Sequence, residues 1–342
     1  MNMKLFEGKK ALLISIAIVA AVLIGISVFY LQNQPQQQKY TGPVEKITLS
    51  NTEEYSTLVW IAENQGYFRD NGLEVITKDY PSGKLAADAL LAGEADISVS
   101  ADVVLVSNSF TNLALRILGT ADIVDIVEVI VRKDRGIREP GDIKGKKIGV
   151  TKKTVGEFFF GTFLTFNHLS LADVEIVDLQ PKDMVSALSR GDVDAICTWQ
   201  PNVFNAKQQL GNKVISWPAQ SGQKYHMLFL TKEKFIKDHP EAVKRFIQSV
   251  IQAEKFVQEY NEQSKDFIAK KYDYSHSYIE DVWKGHDFIV ELPQSLILTM
   301  EDEARWRIAN NLTNATKVPN YLNYIYTDAL EEVKPEAVKI IR

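Results

Sequence analysis

Residues 89–97 read ALLAGEADI and residues 187–195 read ALSRGDVDA, and both fit A-L-x-x-G-acid-x-D. In each copy a helix-forming run stops at a glycine, the residue that takes the left-handed turn closing a helix, and a short strand begins. The flanks repeat as well. Upstream of the first copy, 46–50 (KITLS) reads as a strand, 57–68 as a helix, 73–78 (LEVITK) as a strand and 83–92 as a helix, and a third strand follows over 95–100. Around the second copy the order returns: a strand at 146–151 (KKIGVT), then a helix at 156–169 with Phe159, Phe163 and Phe166 on one stripe. A strand at 174–179 (VEIVDL), a helix at 183–190 and a strand at 193–198 complete it. Each half is βαβαβ, the pattern of a mostly parallel sheet with helices on both faces, so the chain is expected to be an α/β protein of two lobes.

Beyond the second half the chain reads as helical. Pro240 opens a long helix at its first turn, and Val243, Phe246, Val250, Ala253, Val257 and Tyr260 recur at three and four residues as a buried stripe. Helices are expected over 277–286 and 300–312, and all of these read as packing elements without chemistry.

Composition narrows the function classes. The 342 residues carry 39 Lys+Arg against 44 Asp+Glu, a net charge of −5, which argues against a nucleic-acid surface. The lone Cys197 and five scattered histidines offer no metal-ligand spacing and no disulfide, so metal and thiol chemistry are disfavoured. Residues 11–31 (ALLISIAIVAAVLIGISVFYL) hold no charge and would span about 31 Å as a helix, close to the bilayer core. Lys4, Lys9 and Lys10 precede this run, so it reads as an anchor with 1–10 cytoplasmic and the rest outside the cytoplasm. A cleaved signal with a cut after Ser27 is the alternative. No cysteine follows to make a lipoprotein, and 32–43, rich in glutamine, reads as a polar linker.

In open α/β sheets, ligands bind beyond the carboxyl ends of the strands. That rule selects 51–56 (NTEEYS) and 100–102 (SAD) in the first half, and 152–157 (KKTVGE) and 198–200 (TWQ) in the second. The candidates are Glu54, Tyr55, Ser56, Ser100, Asp102, Thr154, Val155, Glu157, Trp199 and Gln200. The segments before Thr57 and Val155 lead into helix N-termini, which suit anions. Thr154 and Glu157 fit a capping box, T-x-x-E, and they either serve the ligand or only cap the helix; Asp102 has the same two readings. Tyr55 and Trp199 suit the flat wall of a small-molecule pocket, with core packing the alternative for Trp199. The carboxylates Glu54, Asp102 and Glu157 would suit a ligand with an amine or ring N–H groups. Lys152 and Lys153 either steer anions or form a solvated turn.

WIAENQGYFRDNGLEV, PSGKLAADALLAGEADISV, GIREPGDIKGKKIGV and ALSRGDVDAICTWQP occur in this order. Together they resemble the nitrate/sulfonate/taurine branch of ABC-transporter solute-binding proteins, with the related thiamine-precursor binders, over roughly 44–342. The resemblance implies a two-lobed periplasmic-binding-protein fold of type II, with 44–131 plus 218–342 as lobe 1 and 132–217 as lobe 2. The chain would return to lobe 1 through 225–230 (YHMLFL), which adds Tyr225 to the candidate site. Where relatives often show Gly-Ser-Ser, this chain has Lys153-Thr154-Val155, so one hydroxyl is retained and one lost. The resemblance also implies a non-enzymatic, monomeric receptor without cofactor or metal. It would capture a sulfonate/taurine-like, pyrimidine-like or nitrate-like solute and deliver it to an ABC permease and its ATPase. A ligand-sensing ectodomain and a pyrimidine-precursor enzyme on the same fold are the alternatives.

Overall fold

The structure, a computed structural model, describes residues 39–52 and 56–341. The uncharged run at 11–31 and the candidates Glu54 and Tyr55 lie outside the described residues. Among the described residues, no helix is long and apolar enough to cross a membrane.

From Gly42 onward the chain forms one contiguous unit around two sheets. It opens with β1 (Glu45–Asn51), α1 (Thr57–Asn64), β2 (Leu73–Asp79), α2 (Gly83–Ala92), β3 (Ile97–Ala101), α3 (Asp102–Ser109) and β4 (Leu115–Val124). It then crosses over into β5 (Glu128–Arg132), β6 (Lys147–Val150), α4 (Val155–Phe166), β7 (Glu175–Asp178), α5 (Met184–Arg190), β8 (Ala195–Thr198), α6 (Asn202–Leu210) and β9 (Val214–Pro218). The return brings β10 (Tyr225–Lys232), α7 (Pro240–Glu259), α8 (Asn261–Tyr272), α9 (His276–Val282), β11 (His286–Asp287) and α10 (Gln294–Ala309). The first sheet has the order β11-β4-β10-β3-β1-β2 and the second β7-β6-β8-β5-β9.

The repeated sequence is a repeated structure. Gly93 and Gly191 close α2 and α5 at φ +83° and +81°, where a Cβ would be strained. Glu94 N donates to Ala89 O at 2.9 Å and Asp192 N to Ala187 O at 3.0 Å, the same closing bond in both copies. The last acid of the motif has one job in each lobe. The Asp96 carboxylate accepts Thr48 N at 2.8 Å, and the Asp194 carboxylate accepts Lys147 N at 3.0 Å, tying the loop to the start of the neighbouring parallel strand.

Around these parallel cores (β2-β1-β3 and β7-β6-β8) the chain adds antiparallel strands that sequence periodicity did not pick out: β4 and β10 on one sheet, β5 and β9 on the other. They carry the crossings. β4 runs into β5 through 125–127, so residues 128–131 pair in the second sheet, a few residues ahead of the boundary at 131 expected from the sequence. β9 returns to β10 through 219–224. The buried Gln220 clamps the two crossings: its Oε1 accepts Ile126 N (2.7 Å) and Val127 N (2.9 Å), and its Nε2 donates to Val124 O and Gln223 O, both at 2.9 Å.

Two expected details differ. Phe166 is 67% exposed, because α4 buries Phe158, Phe159, Phe160 and Phe163 instead. The last long helix starts at Gln294, ahead of the expected 300.

Candidate ligand-binding site

The carboxyl ends of β1, β2 and β3 in one lobe face those of β6, β7 and β8 in the other, enclosing a cavity of about 420 Å³. The first lobe supplies Thr52, the turn Tyr80 to Lys84, Ala101 and Val104, with Tyr225 and Met227 from β10. The second supplies Thr154, Val155, Pro181, Lys182 and the segment Trp199 to Asn202.

Helix starts dominate the wall. Gly83 and Lys84 open α2, Val104 lies in the first turn of α3, Val155 opens α4 and Asn202 opens α6. The first N–H groups of a helix have no intrahelical acceptor, and the dipole end is positive. In each of these four helices a side chain meets one such group, Ser82 at Leu85 N, Asp102 at Val103 N, Thr154 at Gly156 N and Gln200 at Phe204 N, and the others remain for a ligand or water. Two glycines permit this convergence. A Cβ on Gly83 would lie 3.1 Å from Ser100 Cα, and one on Gly156 would lie 3.1 Å from Cys197 O and 3.4 Å from the Trp199 ring. Lys84 shares its charge with Asp88 at 2.6 Å, whereas Lys182 is exposed and forms no ion pair among the described residues.

The candidate residues separate into those on the wall and those behind it. Thr154, Val155, Trp199, Gln200 and Tyr225 line the cavity. Trp199 is 8% exposed and presents its indole beside the start of α4. Tyr225 is held as a neutral phenol, pushed up by burial and by the nearby charges of Asp122, Asp102 and Asp125. Thr154 donates its hydroxyl proton to Thr151 O at 2.6 Å and accepts Gly156 N at 3.3 Å, which leaves no donor for an anion.

Each of the four expected segments reaches the wall, through Thr52, Ala101, Thr154 with Val155, and Trp199 with Gln200, whereas the candidates Ser56, Ser100, Asp102 and Glu157 stand behind it. Ser56 is buried at the start of α1. Ser100 donates to Gly83 O at 2.8 Å and so positions a wall residue. Asp102 is the first residue of α3 rather than its cap. Its Oδ1 accepts Val103 N, and its Oδ2 accepts His226 N at 2.8 Å and lies 2.9 Å from His226 Nδ1. Glu157 accepts Lys153 N at 2.9 Å instead of closing a reciprocal box with Thr154, and it pairs with Arg307 at 3.2 Å. Lys153 adopts φ +61°, a left-handed conformation that a glycine would take without strain.

Sequence reasoning missed Tyr80, Lys84, Pro181 and Lys182. The strand-end rule, applied to β2 and β7 as it was to the other parallel strands, would have found them. It also missed α10. Glu303 on that helix is fully buried, and neither carboxyl oxygen receives a hydrogen bond from a described residue. Burial and the adjacent Asp102 charge push Glu303 well above the ordinary carboxylate range.

Two α/β lobes, joined by paired crossings and bordering a cavity walled by helix starts, define a two-lobed periplasmic-binding-protein fold. The chain belongs to the NMT1/THI5-like family, whose model matches residues 53–264, more than half of its length. A Bacillus subtilis protein named for binding aliphatic sulfonates is 26% identical over 249 residues, spanning 71% of this chain and 75% of the relative. The taurine-binding periplasmic protein of Escherichia coli is 28% identical over 191 residues, 55% of this chain and 59% of its own. Among solved structures, the alkanesulfonate-binding protein SsuA of Xanthomonas axonopodis pv. citri, bound to MOPS, superposes with a TM-score of 0.73 at 17% identity. It covers 84% of this chain and 99% of its own, and that likeness is one of fold.

Proposed function

We propose that the protein is the solute-binding component of an ABC importer, presented outside the cytoplasm, and that its ligand is a small organic anion of the sulfonate class. The cavity carries this reading: about 420 Å³, within the range of ligand pockets, walled by four helix starts and by Trp199 and Tyr225. A nitrate ion would leave most of that space empty, whereas an alkyl or aminoalkyl sulfonate presents its oxygens to the helix N–H groups and its carbon chain to the indole. The sulfonate and taurine names of its relatives support the same class. The permease and its ATPase would receive the ligand from a monomeric binder. The uncharged run at 11–31 supports an N-terminal membrane anchor, and mass spectrometry of the mature N-terminus tests it: a first residue near Gln32 would mean a cleaved signal. Binding without catalysis accords with relatives named for binding aliphatic sulfonates and taurine.

The test is a thermal-shift and calorimetric screen of the full-length protein with taurine, methanesulfonate, hexanesulfonate, MOPS and nitrate. A sulfonate at a hundred times its Kd should stabilise by about 2.7 kcal/mol. Over about 300 folded residues that raises Tm by about 4 °C. Trp199→Ala should weaken binding by about 2 kcal/mol, the level of a central aromatic anchor. A response to nitrate alone would overturn the organic-anion reading.

A further inference from the structure

We propose that Phe204 is a clasp between the lobes, a positioning residue that couples occupation of the cavity to closure and sets how long the ligand stays. The proposal rests on the solute-binding reading for its ligand, and on packing alone for the contact itself. α6 belongs to the second lobe, where Val203 and Ala206 are fully buried in that lobe's own apolar cluster with Ile130, Met184 and Leu188. Phe204, between them in sequence, is not part of that cluster. It packs into one built from the first lobe, around Trp60 of α1, Ile268 of α8 and Tyr278 and Ile279 of α9. Its ring centroid lies 4.7 Å from that of Tyr278 at 55°, and Tyr274 braces Tyr278 edge-on at 4.6 Å.

The link to the ligand is short. Phe204 N donates to the Gln200 side-chain oxygen at 3.0 Å, and Gln200 lines the main cavity next to Trp199. The same glutamine borders a small apolar pocket with Tyr278 and Trp283 of the first lobe. A ligand that fixes Trp199 and Gln200 therefore fixes the first turn of α6 and the direction of the Phe204 ring. On the solvent side, a groove of about 560 Å³ lies between Asn205 and Gln208 of α6 and Asp273 and Ser275 of the first lobe. Phe204 is half-buried and its own lobe does not pack around it, so its loss should leave each lobe intact.

The experiment places spin labels on the full-length protein at Glu63→Cys in the first lobe and Asn212→Cys in the second, both exposed positions; the native Cys197 is fully buried. Distances are measured without ligand, and dissociation of hexanesulfonate and taurine is followed by stopped flow. In Phe204→Ala the distance distribution should shift to longer values, and dissociation should quicken about tenfold with little change in association, the scale of one lost aromatic pair. Phe204→Leu, which keeps apolar volume, should fall between that variant and the parent. Phe166→Ala, removing an exposed aromatic on α4, should match the parent. A Phe204→Ala distribution that superimposes on the parent would overturn the clasp. If neither sulfonate binds the parent, the sulfonate reading fails while the distances still decide the clasp.

Discussion

Among the described residues, α4 and α6 each reach from the second lobe to the first, and the two seams are built from different chemistry. On the α4 side, Glu157 and Arg307 pair at 3.2 Å with 7% and 3% of their surfaces exposed. Phe158 meets Trp306 edge-on at 5.4 Å, and Gly161 lies so close to the indole that a Cβ would sit 2.3 Å from it. The same helix leans on the crossing segments, Phe163 on Trp217 and Phe159 on Tyr225, each at 6.0 Å. On the α6 side, half-buried Phe204 meets Tyr278 at 4.7 Å beside an open groove. Removing one partner of a buried ion pair leaves the other charge buried and uncompensated, whereas removing one ring of a pair forfeits little more than their contact. The α4 seam is therefore the more heavily built of the two, and the α6 seam is where the proposed clasp sits beside a groove.

The largest test of this contrast is Arg307→Ala. It leaves the Glu157 carboxylate buried without its cation, which should cost about 3–5 kcal/mol in urea denaturation. A loss below about 1 kcal/mol would mean that the α4 seam is no stronger than a surface contact. Gly161→Ala comes next: the added methyl collides with a rigid indole, and overpacking of this kind should cost about 1–3 kcal/mol. An unchanged melting temperature would show that Trp306 swings aside freely.

A smaller effect concerns pH. Because Glu303 is pushed up in the folded state, the folded protein holds that proton more tightly than the unfolded chain does. Its contribution therefore favours folding at low pH and declines as pH rises from the ordinary range near 4.3 through the raised value. Glu303→Gln should remove that decline, giving a flatter stability profile between about pH 4 and 8; a profile parallel to the parent's would exclude Glu303 as its source. A small effect is also expected at the other seam, where Phe204→Ala should cost about 0.5–1.5 kcal/mol, the worth of one aromatic pair. A loss comparable to that of Arg307→Ala would erase the distinction between the seams.

Much of this molecule is legible in the residue order. The paired A-L-x-x-G-acid-x-D segments revealed both βαβαβ cores because each position in them answers to a local need: a left-handed helix close at the glycine, and a carboxylate that ties the next parallel strand. The wall residues Thr154, Val155, Trp199 and Gln200 follow from the same order through the strand-end rule. The antiparallel strands β4, β5 and β9 were less visible. Their pairing is set by where the chain crosses between sheets, which leaves no periodic mark of its own.

The division between wall and support was not legible at all. Asp102, Glu157 and Ser100 sit one or two residues from wall positions, yet their side chains turn to His226, Arg307 and Gly83. Which way such a polar group turns depends on the partner that the far chain brings beside it. Sequence determined the local devices, namely helix ends, strand starts and the points where an anion can be met, because these are decided within a few residues. Only the tertiary structure decided that α10 would lock α4 with a buried ion pair and that Phe204 would reach across to the other lobe. Those contacts join residues more than seventy positions apart, and nothing in either local stretch encodes the other.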